Sequence, residues 1–160
     1  MANSSAIIEY KNLIVKKLIG NKDFIAAMGN PDINESDEAV YKYIFPYFYI
    51  PGTIESAHSY ICIKVDMLST AGDTELLGEF RVRIWVIVHQ DIMKMNGVGG
   101  ATRMDYLAQL VDKMFNGSEA FGVGKLRLTS NLEDDLDMVH RCRELTFLTK
   151  DVNDGTVCAV

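Results

Sequence analysis

Phe80-Arg-Val-Arg-Ile-Trp-Val-Ile-Val-His89 is the stretch of this sequence that decides the fold. From Phe80 to Val88 every second side chain is apolar, which is the alternation expected of a β-strand that buries one face. A glycine-rich loop, Asn96-Gly-Val-Gly-Gly100, follows it. Thr102–Asn116 then repeats apolar residues every three or four positions, as an amphipathic helix does. The rest of the chain is predicted as strands beside this strand or helices beside this helix.

Three helices are predicted, and the last of them is the best defined. Thr102-Arg-Met-Asp105 has the form of a capping box with Asp in place of the usual Glu, and Asn116-Gly117 is a typical helix end. Two earlier helices are predicted over residues 5–19 and 22–28, where apolar residues recur at helical spacing. Gly29-Asn30-Pro31 should end the second of them.

Residues 59–69 also alternate between apolar and polar side chains, which predicts a second long strand. We expect it to pair with the first strand as an antiparallel hairpin with a wide loop. This pairing places Lys64 and Asp66 on the face that carries Arg81 and Arg83. Opposite charges on such a face are expected to pair across the strands while remaining solvated.

Two shorter strands, over 125–130 and 141–149, complete the predicted sheet, and the acidic segment 131–137 between them is predicted as a turn. This order of elements predicts an α+β fold. The sheet should have about four mainly antiparallel strands, with the helices packed on one face and an extended hairpin. We expect a single domain over residues 1–160. Its expected parts are N-terminal helices over 1–30, a sheet-and-helix core over 39–153 and a loose tail over 154–160.

The densest aromatic stretch, residues 39–51, has two interpretations. Pro46 and Pro51 exclude a helix interior or a central strand there. The segment is either an edge segment that covers the core with its rings or an arm that contacts another subunit, because tyrosine and phenylalanine are enriched in interfaces. Together with two acidic residues of the hairpin loop at 70–78, the candidate interface residues are Tyr43, Phe45, Tyr47, Tyr49, Asp73 and Glu75.

No residue pattern indicates a catalytic, cofactor-binding or metal site. The three histidines are far apart in the sequence, and the glycine loop at 96–100 matches neither of the common phosphate-binding spacings. Cys62, Cys142 and Cys158 form no CxxC pair, so neither a zinc site nor a disulfide framework is indicated. We therefore expect a protein that is not an enzyme and uses no cofactor.

Two acidic sets leave alternatives open. The metal site of a small magnesium-dependent nuclease could be formed by Asp66, Glu79 and Asp91, although nothing in their spacing requires it. A second set lies within 133–137 and could bind calcium or magnesium, but it lacks the spacing and the glycine of a calcium-binding loop. A solvated turn is the favoured interpretation of that set. Its members are Glu133, Asp134, Asp135 and Asp137.

The net charge of the sequence and its lack of long apolar runs limit the partners and the location of the protein. The chain has 160 residues and a net charge of −6, which argues against a general nucleic-acid binder. No apolar run approaches the roughly 20 residues that span a bilayer. The N-terminus lacks the features of a signal peptide. We expect a cytoplasmic protein that does not bind membranes, with its thiols reduced.

Several segments resemble small structural proteins of the tail modules of long-tailed bacteriophages and prophages. The likeness covers roughly residues 40–153. The segments that carry it are Tyr43-Ile-Phe-Pro-Tyr-Phe-Tyr-Ile-Pro51, Ile84-Trp-Val-Ile-Val-His89, Arg103-Met-Asp-Tyr-Leu-Ala-Gln-Leu-Val-Asp112, Phe121-Gly-Val-Gly-Lys-Leu126 and 141–153.

This resemblance implies a tail terminator, or a neighbouring neck protein at the head–tail joint. In that family a small α/β subunit forms a hexameric ring that caps the finished tail tube and offers a surface to the head connector. The implied partners are therefore copies of the chain itself, the tail-tube protein and the connector, within a virion assembled in the host cytoplasm. DNA would pass through the ring without specific binding, and the acidic residues at 133–137 are candidates for lining the lumen. A tail-assembly adaptor that forms no ring, and the small nuclease, stay open as alternatives.

Overall fold

The computed structural model describes residues 4–52, 57–71 and 77–152, with the side chains of residues 69–71 left aside. In chain order the helices and strands are α1 (Ser4–Gly20), α2 (Lys22–Met28), β1 (Ile44–Phe45), β2 (Ser59–Ala71), β3 (Leu77–His89), α3 (Arg103–Phe115), β4 (Arg127–Asp135) and β5 (His140–Val152). The predicted α+β class and the three predicted helices are confirmed.

The strands form one sheet in the order β1-β2-β3-β5-β4. All neighbours are antiparallel except β1, which pairs with β2 in parallel. The prediction of about four mainly antiparallel strands was therefore close. The fifth strand is β1, a pairing of only two residues, and Pro46 follows it directly, since proline cannot continue a strand ladder.

Helices α1 and α3 pack on one face of the sheet, as predicted. The β3 side chains Val82, Ile84 and Val86 are fully buried beneath them. At the edge of this core the ring of Tyr10 meets Phe80, with 5.1 Å between ring centroids, and its hydroxyl donates a 2.7 Å hydrogen bond to Oδ2 of Asp151. The N-terminal helix is thus attached to the last strand by a buried polar contact as well as by apolar packing.

The start of α3 realises only half of the predicted capping box. Oγ1 of Thr102 accepts a 3.1 Å hydrogen bond from the backbone N–H of Asp105, as a helix cap does. The Asp105 carboxylate does not return to the cap. It accepts hydrogen bonds instead from Nη2 and Nε of Arg143, at 2.7 and 3.1 Å. These two hydrogen bonds join the first turn of the helix to β5.

The prediction of a turn over the acidic segment 131–137 was wrong for residues 131–135 and right for residues 136 and 137. Strand β4 continues through this segment to Asp135, because β5 is longer than predicted and offers it a partner. Glu133 lies opposite Arg143 and Asp135 opposite Arg141, so each carboxylate is next to a cation. Pairing with a neighbouring strand has overridden the low β-propensity of acidic residues.

The long hairpin of β2 and β3 is confirmed, and so is the shared face of its charges. Lys64 lies opposite Arg83 and Asp66 opposite Arg81. The strands extend to Ala71 and from Leu77, so they are longer than predicted, and Asp73 and Glu75 lie outside the described residues. The predicted tail at 154–160 also lies outside them.

Gly122 offers a test of how tightly the loop before β4 packs on β5. Its φ is +72°, and a Cβ there would overlap the carbonyl oxygen of Lys150. We expect Gly122→Ala to lower the free energy of unfolding by about 2 kcal/mol or more, through left-handed strain and this clash together. Urea denaturation measures the loss.

Gly124→Ala is the matched control for this prediction. A Cβ at Gly124 would meet no heavy atom within 4 Å, and its backbone is not left-handed. We expect that variant to stay within about 0.5 kcal/mol of the parent. Equal effects of the two substitutions would show that the loop does not pack on β5 in this way.

Candidate assembly surfaces

The described residues cover only part of the face of the sheet that lies opposite the helices. Toward the β4–β5 turn, residues 43–51 lie across it. The ring of Phe48 packs edge-on against Trp85 at 4.9 Å, and the backbone N–H of Tyr49 lies 3.4 Å from Sγ of Cys62. Toward the β2–β3 connection no described segment covers the face, and its polar side chains are partly exposed. We call this second part the open face.

A set of cations, the cationic patch, lies on the open face in three successive cross-strand rows. One row contains Arg81 and Arg127 on either side of Leu148, and the next pairs Arg83 with Lys64. The patch consists of Lys64, Arg81, Arg83, Arg127 and Lys150. The described carboxylates in these rows are Asp66 and Glu79. The patch is therefore a locally basic area on a chain whose net charge is −6.

A single carboxylate holds the two central arginines. Oδ2 of Asp66 accepts from Nη2 of Arg81 at 3.1 Å and from Nη2 of Arg83 at 3.0 Å. Partial burial acts to raise the pKa of Asp66, but the two guanidinium groups outweigh it, so the pKa is lowered and the group is charged at neutral pH. The Nε atoms of both arginines are buried and have no hydrogen-bond partner in the described part of the chain. Each guanidinium group therefore has a donor that no described residue uses.

The aromatic segment serves mainly as a cover for the core. Tyr43 and Phe45 are buried, and the Phe45 ring stacks on Tyr49 at 4.2 Å. Tyr47 is 46% exposed and lies beside Tyr41. The edge-segment interpretation thus describes most of these rings, while a role in subunit contacts stays a prediction that has an accessible ring at Tyr47.

The acidic residues predicted to line a lumen lie at the opposite end of the sheet from the cationic patch. Glu133, Asp134 and Asp135 are exposed on the edge strand β4. Asp137 differs from them, because its carboxylate accepts from the backbone N–H groups of Val139 and His140 in the turn, both at 2.8 Å. We call residues 133–138 the acidic tip.

The histidines, far apart in the sequence, come together in the fold around Tyr60. The rings of His89 and His140 lie 5.1 Å apart, and those of Tyr60 and His140 6.2 Å apart. Each histidine also has its own carboxylate, at 3.6 Å for His58, 3.7 Å for His89 and 2.9 Å for His140. The register of β3 with β5, which the sequence does not reveal, creates the central pair. Among the described residues no group of three or more His, Cys, Asp or Glu could hold a metal ion, so we interpret the cluster as packing.

The three carboxylates of the nuclease hypothesis are not brought together. Asp66 and Glu79 lie near the β2–β3 connection, on adjacent strands. Asp91 follows the far end of β3, roughly 30 Å away at the usual rise of a strand. The glycine loop at 96–100 carries left-handed glycines with open space around them, as a connection does. Neither feature forms a site.

Comparisons with known proteins give a family match and a fold match. The YomW family model matches residues 12–149. The fold is similar to that of a chain in the virion of a native gene transfer agent (GTA) particle, with a TM-score of 0.55 and 17% sequence identity over 87% of this chain and 91% of that one. At this identity the likeness concerns the fold alone. No curated protein sequence matches the chain. Within the described residues, no helix is long and apolar enough to cross a bilayer.

The surroundings of Asp137 predict that the stability of the protein falls in acid. Burial acts to raise the pKa of Asp137, but the N–H groups of Val139 and His140 and the His140 ring together lower it. A carboxyl group with a lowered folded-state pKa adds stability above its unfolded pKa of about 3.9, and this stability is lost as the pH falls through the folded value. We expect the free energy of unfolding to fall below about pH 4. Asp137→Asn should be less stable at pH 7 and should lose less on acidification.

Urea denaturation from pH 7 to pH 2.5 measures this difference. Asp134→Asn is the matched control, because Asp134 is exposed and has no cation within 4 Å among the described residues. We expect it to follow the parent protein at every pH. An acid loss in Asp137→Asn as steep as in the parent would contradict the role given to Asp137.

Proposed function

Since this chain belongs to the YomW family, a phage-type family, we propose that it is a structural protein of a virion. The observation that carries the proposal is that the family model matches most of the chain while the fold is similar to that of a chain in a GTA virion. The described surfaces agree with a role in assembly. They contain a partly exposed sheet face with five cations and an exposed acidic tip, and no group of described carboxylates converges on a metal site.

Within the virion, the proposed role is that of a tail terminator. Copies of the chain would form a ring, with six as the proposed number, that binds the last ring of the tail tube and stops its growth. The opposite side of the ring would receive the head connector. In this role the protein works by steric contact and charge and needs neither a cofactor nor substrate turnover.

The acidic tip fits the passage of DNA through such a ring. Glu133, Asp134 and Asp135 are exposed and lie on an edge strand, where they can face an opening. Carboxylates repel phosphates and release no counterions to them, so DNA would slide past instead of binding. The tip is therefore the proposed lining of the lumen, and Tyr47 is the proposed contact of the aromatic segment with a neighbouring protein.

Deletion of the gene from its phage or prophage tests these roles. For a tail terminator we expect tail tubes that grow beyond their normal length and do not join heads, because nothing stops polymerisation. Electron microscopy of induced lysates measures tube length. Expression of the wild-type chain from a plasmid should restore normal tails and serves as the control.

The same experiment separates the alternatives. Tails of normal length beside unattached, DNA-filled heads would indicate a connector protein instead. Mass spectrometry of purified particles adds the second readout, since a tail-assembly adaptor would be absent from finished particles. Normal infectious particles that lack the chain would contradict any virion role. Cleavage of DNA by the purified protein with magnesium, lost in Asp66→Ala, would favour the nuclease.

A further inference from the structure

The charges of the sheet are separated along its strands. The cationic patch occupies the open face next to the β2–β3 connection, and its described rows contain five cations and two carboxylates. The acidic tip follows the other end of β4. Asp73 and Glu75, in the loop between β2 and β3, lie outside the described residues and are not counted in this balance.

The patch and the tip cannot meet within one molecule. On the face that carries the patch, the nearest rows of the two surfaces are those of Arg83 and Asp134. These rows are four residues apart along β5, and the two residues lie on strands on either side of β5. At about 3.3 Å per residue and about 4.8 Å per strand, roughly 16 Å separates their Cα atoms, which is beyond the joint reach of the two side chains. Any contact between these two surfaces must therefore join different copies of the chain.

The patch has charged groups that the described residues do not satisfy. Arg81 and Arg83 share Oδ2 of Asp66, and their buried Nε atoms have no hydrogen-bond partner among the described residues. Nζ of Lys64 has no carboxylate within 4 Å among the described residues and lies 5.6 Å from the ring centroid of Phe48 and 5.7 Å from that of Trp85. These cations surround Leu148, which is only partly buried.

The tip has the complementary chemistry. Asp134 is exposed and has no cation within 4 Å among the described residues, while Asp135 is 76% exposed although Nε of Arg141 lies at 3.1 Å. Beside these carboxylates, Leu132 is 61% exposed and Met138 is 87% exposed. An acidic strand end with exposed apolar side chains beside it matches a basic sheet face with an apolar centre in both charge and polarity.

We propose that the acidic tip of one copy docks on the cationic patch of the next, in a head-to-tail contact. Two different surfaces meet in such a contact, so it repeats from copy to copy and generates a ring when the rotation closes. This inference specifies the subunit contact of the proposed ring and rests on that proposal for the presence of a second copy. A tip docked in this way would lie between two copies, so its carboxylates would not line the lumen, and this contact and the lumen role are alternative assignments of the tip.

Charge reversal tests the contact. We expect the wild-type protein to self-associate at micromolar concentration in 50 mM salt and to dissociate as salt is raised, because exposed charges are screened. Arg81→Glu/Arg83→Glu and Asp134→Lys/Asp135→Lys should each weaken association at least tenfold. Sedimentation velocity measures both effects. The matched control is Lys16→Glu/Lys22→Glu, which reverses two exposed charges away from the patch and should associate like the wild type.

Combining the two reversals in one chain gives the decisive result. The four-residue variant exchanges the signs of the two central charges of the patch and of the two central charges of the tip, so the contact should form again and association should return to within a few-fold of the wild type. Failure of that rescue, with each variant folded by circular dichroism, would overturn the contact. A wild-type protein that stays monomeric at 100 micromolar, or patch and tip variants that associate normally, would overturn it as well.

A folding defect in the arginine variant would not obscure the test. Lys64→Glu/Lys150→Glu reverses the rim of the same patch without breaking the Asp66 hydrogen bonds, and it should weaken association in the same direction. Mass spectrometry of purified particles distinguishes a failure of this inference from a failure of the proposed function. A virion that contains the chain while the purified protein shows no patch–tip contact would retain the structural role and remove only this interface.

Discussion

The pairing of β3 with β2 on one side and β5 on the other is the constraint on which the rest of the structure depends. The β3 side chains of Val82, Ile84 and Val86 are fully buried. Burying an aliphatic side chain of this size contributes roughly 1.5–3 kcal/mol to the stability of the fold. Nearer the His89 end, both faces of the strand are covered, by helices on one side and by the aromatic segment on the other. This strand therefore fixes which end of the sheet is closed and which end is open.

The charge distribution follows from the same arrangement. Where the aromatic segment ends, the polar alternation of β2 and β3 faces water, so Lys64, Arg81 and Arg83 lie together and share Asp66. At the other end, the end of β4 carries Glu133, Asp134 and Asp135, and the turn that follows carries Asp137. One chain thus has a basic surface and an acidic surface at opposite ends of one rigid sheet. This polarity suits a subunit that repeats head to tail.

Local patterns in the sequence predicted the helices, the long hairpin and the shared face of its charges, because each depends on spacing or on a short signal such as the Thr102 cap. Features that depend on pairing between distant segments were missed. Strand β4 continues through Glu133 and Asp135 only because β5 supplies Arg143 and Arg141 opposite them. The convergence of the histidines around Tyr60 likewise requires the β3–β5 register. Part of the cationic patch was predicted, because the hairpin places Lys64, Arg81 and Arg83 on one face. The other two members, Arg127 and Lys150, join the patch only through the pairing of β4 and β5, which was not predicted.

The proposal that this protein is a structural subunit of a virion is tested most directly by electron cryomicroscopy of the particle produced by the phage or prophage that encodes it. We expect density for several copies of the chain around the tail axis, with the open face of each copy covered by the acidic tip of its neighbour. A virion that lacks the chain would contradict that proposal, whereas a virion that contains the chain with its open face bare to solvent would contradict only the patch–tip contact.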